Sequence, residues 1–436
     1  MIQNSDPSTL TATPATDLDE PIPTVGSGKL FNGFFDPGQE RNFRKDQLVD
    51  GRARRVFDLM GRACEAGVYP FQLPLETRQG PWVRAEGREL LMLSSYDYLG
   101  LIGDPRIDEA AIEGIRKYGT GSGGARLLTG TLDLHKQMER DLANFKGTPE
   151  VLTFSSGYLA NLAVIAGLFS AQDRVVMDSL CHRSVVDACK MAGVQVQRFK
   201  HNDMDSLRQE IASGPPANRT LIISDGVFSM DGDICPLADL VQIKKETNTF
   251  LMIDDSHAMG VLGKGGHGVD ELFGIPTNEI DIWTGSFAKA VPSNGGWVAG
   301  SQQLLIFLQH AASPFIFSAA LSPSSVAVVR EAIRIMSTEP ERYARLQENA
   351  VFLRGGLQEL GYDTGLSETP IIPVNFENEE HCAFAAAMLR GMGVGVTPIL
   401  FPAVPLGSAR LRLCVTAAHT KDDLQFALDA FKKLRD

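Results

Sequence analysis

Lys289 lies in the run Thr284-Gly285-Ser286-Phe287-Ala288-Lys289-Ala290, directly after the apolar stretch Glu279-Ile-Asp-Ile-Trp283. Earlier in the chain another apolar run, Phe250-Leu-Met-Ile253, ends in Asp254-Asp255-Ser256-His257. A carboxylate and then a lysine, each at the exit of a strand, suit pyridoxal phosphate (PLP). The amine forms a Schiff base with the aldehyde, and the carboxylate pairs with the protonated ring nitrogen. Small and apolar neighbours around Lys289 favour a desolvated, nucleophilic amine over a solvated one. Alternation along a strand sends Asp254 and Asp255 to opposite sides, so one of them serves the ring. Asp254 is the expected partner of the ring nitrogen, with His257 near the ring hydroxyl.

Other residues at strand exits join this set. His182, in Asp178-Ser-Leu-Cys-His182-Arg-Ser, could stack on a pyridine ring and donate a hydrogen bond to a substrate carboxylate or carbonyl. Ser155-Ser156-Gly157-Tyr158 separates a strand from a helix, and the free N–H groups of such a helix start suit a phosphate. Ser286 could add a hydroxyl. Arg412, in Ala409-Arg-Leu-Arg412-Leu-Cys, reads either as a surface ion pair or as a bidentate grip on a carboxylate. His135, His201, His267, His310, His381 and His419 read as structural, and no metal site is expected. Two matches to the glycine pattern of dinucleotide sites occur at Gly119–Gly124 and Gly263–Gly268. Neither sits between a strand and a helix in the required order, so a dinucleotide enzyme is rejected.

The elements that position these residues follow from periodicity. Helices are expected at 107–117, 133–145, 158–169, 184–192 and 237–247. Strands are expected at 150–154, 174–178, 195–199, 220–224, 250–254 and 280–285. Such alternation predicts an α/β fold with a large, doubly wound, mostly parallel sheet. Ligands of such sheets bind at the carboxyl ends of the strands, where Asp254, His257, Ser286 and Lys289 fall. The segment 324–360 reads as purely helical. Two short strands (81–85 and 89–93) precede the large sheet. A smaller α+β domain (371–376, 380–391, 394–397, 409–415 and 420–434) ends the chain. The expected division is a disordered tail at 1–27, an N-terminal arm or small domain at 28–100, a large cofactor-binding domain at 101–322 and a C-terminal small domain at 323–436.

Composition sets the outer limits. A chain of 436 residues with 44% apolar side chains has material for more than one core. A net charge of −12 argues against a nucleic-acid surface. Six cysteines without a CxxC pair favour a reducing compartment. The absence of a basic, then apolar, leader at the start favours the cytoplasm. No run of about 18 apolar residues occurs, which leaves room only for a peripheral membrane contact.

Taken together, these motifs resemble the α-oxoamine synthases, a family of fold-type I PLP enzymes. The resemblance runs from Tyr96 to Thr420. It includes Tyr98-Leu-Gly-Leu, Gly121-Ser-Gly-Gly-Ala-Arg126, Gly130-Thr131, Gly226-Val-Phe-Ser-Met-Asp-Gly232, Asp254-Asp-Ser-His257 and Ser286-Phe-Ala-Lys289. It implies decarboxylative condensation of an amino acid with a coenzyme A or carrier-protein thioester. It implies Lys289 as Schiff-base lysine and base, and Asp254 on the ring nitrogen. His257 and Ser229 would contact the ring hydroxyl, and His182 would stack on the ring. Ser156, Gly157, Tyr158 and Ser286 would hold the phosphate, and Arg412 the substrate carboxylate. It also implies a homodimer with sites at the interface.

Within the family, Ser95-Tyr96-Asp-Tyr98 and Phe401-Pro-Ala-Val-Pro405 are most similar to serine palmitoyltransferases, which makes serine the expected amino acid and Tyr96 a substrate contact. The alternatives are an alanine-using 8-amino-7-oxononanoate synthase type and a glycine C-acetyltransferase type. An aminotransferase is a more distant one. Ala125-Arg126-Leu127 stands where aminolevulinate synthases carry Thr-Arg-Asn. Ser318-Ala319-Ala320 replaces a hydroxyl-rich stretch and keeps only Ser318 as a cross-subunit phosphate contact. Leu400 stands where several relatives carry arginine.

Overall fold

The computed structural model describes residues 54–65, 69–401 and 403–435. The expected tail and residues 28–53 and 66–68 of the expected arm lie outside them. Two compact units divide at Tyr69/Pro70. In the described part of the first, the helix Arg54–Glu65 packs Phe57, Met60, Ala63 and Cys64 with Tyr69.

Among its described residues the second unit contains thirteen strands. They are β1 (Trp82–Ala85), β2 (Arg88–Met92), β3 (Glu150–Phe154), β4 (Arg174–Asp178), β5 (Gln195–Phe199), β6 (Thr220–Asp225), β7 (Phe250–Asp254), β8 (Ile282–Ala288), β9 (Pro292–Gly300), β10 (Ile371–Asn375), β11 (Val394–Gly395), β12 (Thr397–Ile399) and β13 (Arg410–Cys414). Seven form the large sheet in the order β3-β9-β8-β7-β6-β4-β5. Strands β4 to β8 pair in parallel, and β9 runs antiparallel to both β3 and β8. The central strands are covered on both faces. Val175, Leu221, Ile223 and Met252 enter one core, and Val176, Ile222, Leu251 and Ile253 the other. Continuous apolar runs are what two covered faces require.

Strand β9 is a departure from expectation. Pro292-Ser-Asn-Gly-Gly reads as loop, yet Pro292 pairs with Ala288 of β8, and from Gly296 onward β9 is paired on both sides. Proline sits at the first position, where a strand tolerates it. Glycine at 296 lets the edge of β9 meet the start of helix Gly157–Leu168, because a Cβ there would stand 2.4 Å from the Gly157 nitrogen. Lys289 therefore lies in the turn of a β8–β9 hairpin, anchored at both ends. The stretch 324–360, expected to be purely helical, holds two helices, Pro323–Thr338 and Glu341–Glu359, parted at Glu339-Pro340.

The helix Pro323–Thr338 buries Val326, Val329, Ile333 and Met336 in the core of the large sheet. The sheet β10-β13-β12 has its own core with Leu353, Leu389, Leu424 and Phe431. Leu91 and Leu93, from β2 and its extension, belong to that core too. Backbone bonds from Cys414 to Leu93 (2.7 Å) and from Ala417 to Tyr98 (2.7 Å) tie the segment 93–98 to the end of β13. This seam carries Tyr96 and Tyr98 to the strand that bears Arg412. No described helix is long and apolar enough to cross a membrane.

Candidate active site

The carboxyl ends of the large sheet deliver most of the site. Asp225 and Asp254 stand in register on β6 and β7, and Asp254 pairs with Thr284 on β8. As alternation requires, the two adjacent carboxylates part. Asp254 accepts from Asn161 Nδ2 (2.8 Å) and from the Ser256 backbone N–H (3.1 Å). Asp255 turns away to Lys146 Nζ (2.8 Å), a fully buried amine that also binds Asp270 (2.7 Å).

Lys289 Nζ lies 4.2 Å from the centre of the Tyr96 ring, and the Arg412 guanidinium lies 4.6 Å from the same centre. One electron-rich face system thus serves two cations. Burial, aided by the charge of Arg412, lowers the Lys289 ammonium to about 8. A substantial fraction of free amine is then present near neutrality. Arg412 is 3% exposed, and its Nε and Nη2 have no hydrogen-bond partner among the described residues. A buried guanidinium with open donors is built for an anion supplied from outside, and its fork matches a carboxylate.

His257 Nδ1 is bonded to the Tyr98 hydroxyl at 2.9 Å, with the Tyr96 ring edge-on 6.1 Å away. Burial, together with the charges of Lys289, Arg412 and His182, holds its pKa well below the ordinary value. His257 is therefore a neutral hydrogen-bonding group. His182 caps the helix Arg183–Ala192 through Nδ1, leaving the rest of its ring exposed. Burial and the charge of Asp254 push Asp225 well above the usual carboxylate range, so it stays protonated beneath the site.

The phosphate end also fits. Ser156 caps the helix Gly157–Leu168 by accepting from the Leu159 N–H (3.2 Å), which leaves the first N–H groups of the helix facing outward. A Cβ on Gly157 would fall 2.9 Å from Ser286 Cβ, so only glycine lets Ser286 close on the helix start. Ser155 and Ser318 share a 2.8 Å hydrogen bond beside it. The Tyr158 side chain points elsewhere: its hydroxyl donates to Asp187 (2.8 Å) at the surface, so only its backbone faces the cradle. Ser229 sits half-buried in the turn closed by the Val227–Ile234 bridge.

Sequence reasoning missed Asn161 and Ser184, and Tyr98 as a histidine partner. Asn161 interrupts an apolar helix, and that polar break was its one signal. Tyr98 becomes a site residue only through the seam at 93–98.

A lysine at a strand exit, a carboxylate one strand over, and a cradle at a helix N-terminus define a PLP-dependent enzyme of fold type I. The family model for class I and II aminotransferases matches residues 88–431. An 8-amino-7-oxononanoate synthase of Symbiobacterium thermophilum is 43% identical over 371 residues, covering 85% of this chain and 94% of the relative. A serine palmitoyltransferase of Sphingobacterium spiritivorum is 38% identical over 373 residues, covering 86% and 93%. Among solved structures, a serine palmitoyltransferase of S. paucimobilis with PLP bound superposes with a TM-score of 0.86 at 32% identity, covering 89% of this chain and 98% of that one. The chain belongs to the class I and II aminotransferase family and, within it, to the PLP-dependent, acyl-transferring α-oxoamine synthases.

Proposed function

We propose that the protein condenses alanine with an acyl thioester and releases carbon dioxide, as an enzyme of the 8-amino-7-oxononanoate synthase type. The observation that carries a carboxylate-bearing substrate is Arg412, buried and with open donors, set across Tyr96 from Lys289. The choice of alanine rests on the relatives. Two 8-amino-7-oxononanoate synthases at 43% and 42% identity stand above the serine palmitoyltransferase at 38%. This moves the reading away from the serine expected from Tyr96 and the Phe401–Pro405 string. Serine remains the second reading, supported by the structural likeness to serine palmitoyltransferases.

Bound at Lys289, PLP supplies an aldehyde for the Schiff base and a ring that absorbs negative charge. Asp254 would hold the ring nitrogen protonated. Arg412 would fix the substrate carboxylate and so orient the Cα–H toward Lys289. Lys289, whose lowered pKa of about 8 makes free amine accessible near neutrality, would remove that proton. A bond then forms between Cα and the acyl carbonyl carbon, and the carbon–sulfur bond breaks. The substrate carboxyl leaves as carbon dioxide, and a proton returns to Cα. One further proton from solvent goes to the departing thiol. A homodimer belongs to this reading.

The test is a titration of the PLP-loaded protein with alanine, serine, glycine and threonine, following visible absorbance. Turnover is then measured with short, medium and long acyl thioesters. Saturation with alanine at the lowest concentration supports the proposal. A serine preference with long acyl thioesters would replace it by the second reading. Turnover of an α-keto acid without any thioester would overturn both.

A further inference from the structure

Four side chains form a continuous hydrogen-bonded line behind the site. His182 Nδ1 lies 2.7 Å from Ser184 Oγ. Ser184 Oγ accepts from Asn161 Nδ2 (2.8 Å), and the same amide nitrogen donates to Asp254 Oδ2 (2.8 Å). Asn161 is 2% exposed, Ser184 0% and Asp254 6%, so water does not compete along the line.

Donor and acceptor bookkeeping fixes its direction. A primary amide has two N–H groups, and both acceptors beside Asn161 Nδ2 are oxygens. Asn161 Oδ1 is buried and has no partner among the described residues. Flipping the amide would set that oxygen against a carboxylate and a hydroxyl, and bury two N–H groups where no acceptor stands. The amide nitrogen therefore faces Asp254 and Ser184. Ser184 Oγ then uses a lone pair for Asn161, and its own proton has His182 Nδ1 as acceptor. The Ser184 backbone N–H also points at Nδ1, at 3.3 Å. A proton on Nδ1 would meet the fixed Ser184 backbone N–H head-on and would force the hydroxyl proton away to a place without this acceptor.

We propose that Asn161 and Ser184 are positioning residues that lock His182 in a single tautomer, with Nδ1 bare and Nε2 carrying the proton. The Asp254 carboxylate sets the direction of the line by orienting the Asn161 amide. The group that holds the ring nitrogen thus also determines which nitrogen of the facing histidine donates. The consequence for chemistry rests on the functional reading above, in which His182 lies over the cofactor ring. Its Nε2–H would then be a fixed donor toward a carboxylate or carbonyl oxygen of the substrate and could not serve as an acceptor there.

The experiment is long-range ¹H–¹⁵N correlation on the imidazoles of the full-length protein, with and without PLP, with His182 assigned by His182→Gln. The expected wild-type spectrum shows Nδ1 as an unprotonated nitrogen and Nε2 as N–H. In Ser184→Ala, loss of one hydrogen bond shifts the tautomer ratio about fivefold toward Nδ1–H. Ser184→Thr keeps the hydroxyl and restores the wild-type pattern. A protonated Nδ1 in the wild type, or an unchanged ratio in Ser184→Ala, overturns the proposal. Should neither substituted chain fold, the wild-type spectrum alone decides the tautomer. A wild-type Nδ1–H in a protein that loads PLP and responds to alanine overturns the lock and leaves the functional reading standing. A bare Nδ1 in a protein that never loads PLP does the reverse.

Discussion

Lys146 and Lys289 are both withdrawn from water against the large sheet and both face an aromatic ring, yet their charged neighbours are of opposite sign. Lys146 Nζ touches two carboxylates and a backbone carbonyl, that of His267 at 2.7 Å, and sits 3.9 Å from the centre of the Trp283 ring. All three of its protons are used. Burial nevertheless pushes Asp255 up to about 6, since the favourable charge of Lys146 is opposed by Asp270. Lys289 faces a guanidinium and an aromatic ring, and burial lowers it to about 8. The first amine is tied by three hydrogen bonds into a structural cluster of opposite charge. The second is placed where losing its proton relieves a cost. Depth alone does not make a lysine reactive; the sign of its neighbours does.

The comparison breaks most visibly under substitution. Lys289→Ala is expected to fold, to bind PLP only non-covalently and to lose about 10⁴-fold in turnover, the upper range for a positioned general base. Normal turnover in that variant would remove Lys289 from the mechanism. Lys146→Met should do the opposite. It leaves Asp255 and Asp270 buried without their cation and costs about 3–5 kcal/mol by urea unfolding. A variant of wild-type stability would show that the cluster contributes nothing net.

A smaller effect separates the two lysines by pH. The Lys289 pKa in the folded protein lies below its value in the unfolded chain, so its buried ammonium destabilises the fold at pH 7. That cost fades as pH rises through about 8 toward 10.5. PLP-free Lys289→Met should therefore exceed the PLP-free wild type by at most about 3 kcal/mol at pH 7, with the gap closing by pH 10.5. A gap independent of pH would mean that Lys289 is not held in this way. The smallest effect concerns Tyr96. Tyr96→Leu removes the ring that faces both cations, and the affinity of free Lys289 for its proton should fall by about 0.5–1 kcal/mol. Labelling of the amine across a pH series reads that change directly.

The parts legible in the sequence were those governed by local rules. Strand alternation at Asp254-Asp255 assigned one carboxylate to the site, and the structure sends them apart as expected. Continuous apolar runs gave β4, β6 and β7. The parts that were not legible depend on distant backbone. Strand β9 hides behind proline and glycine, because Gly296 answers to the helix start at Gly157 and Gly295 to Phe287 and Leu321, and not to the strand's own sequence. Arg412 looked ambiguous because a short strand does not reveal which residues will cover it. The loop Gly263–Gly268 received no role from its sequence. The structure gives it one: a Cβ on Gly268 would fall 2.0 Å from Asp255 Oδ2, so that glycine makes room for the Lys146 cluster.

The hairpin that bears Lys289 has a consequence for how the protein matures. Strand β9 closes the sheet by pairing Glu150 with Gly300 and Phe154 with Gly296, contacts between segments far apart in the chain. Such pairings require long loops to close and form slowly relative to local helices. The cradle at Gly157 and the turn at Lys289 meet only once that pairing is made. Capture of the cofactor is therefore expected late in folding, and the appearance of bound PLP during refolding should follow completion of the sheet.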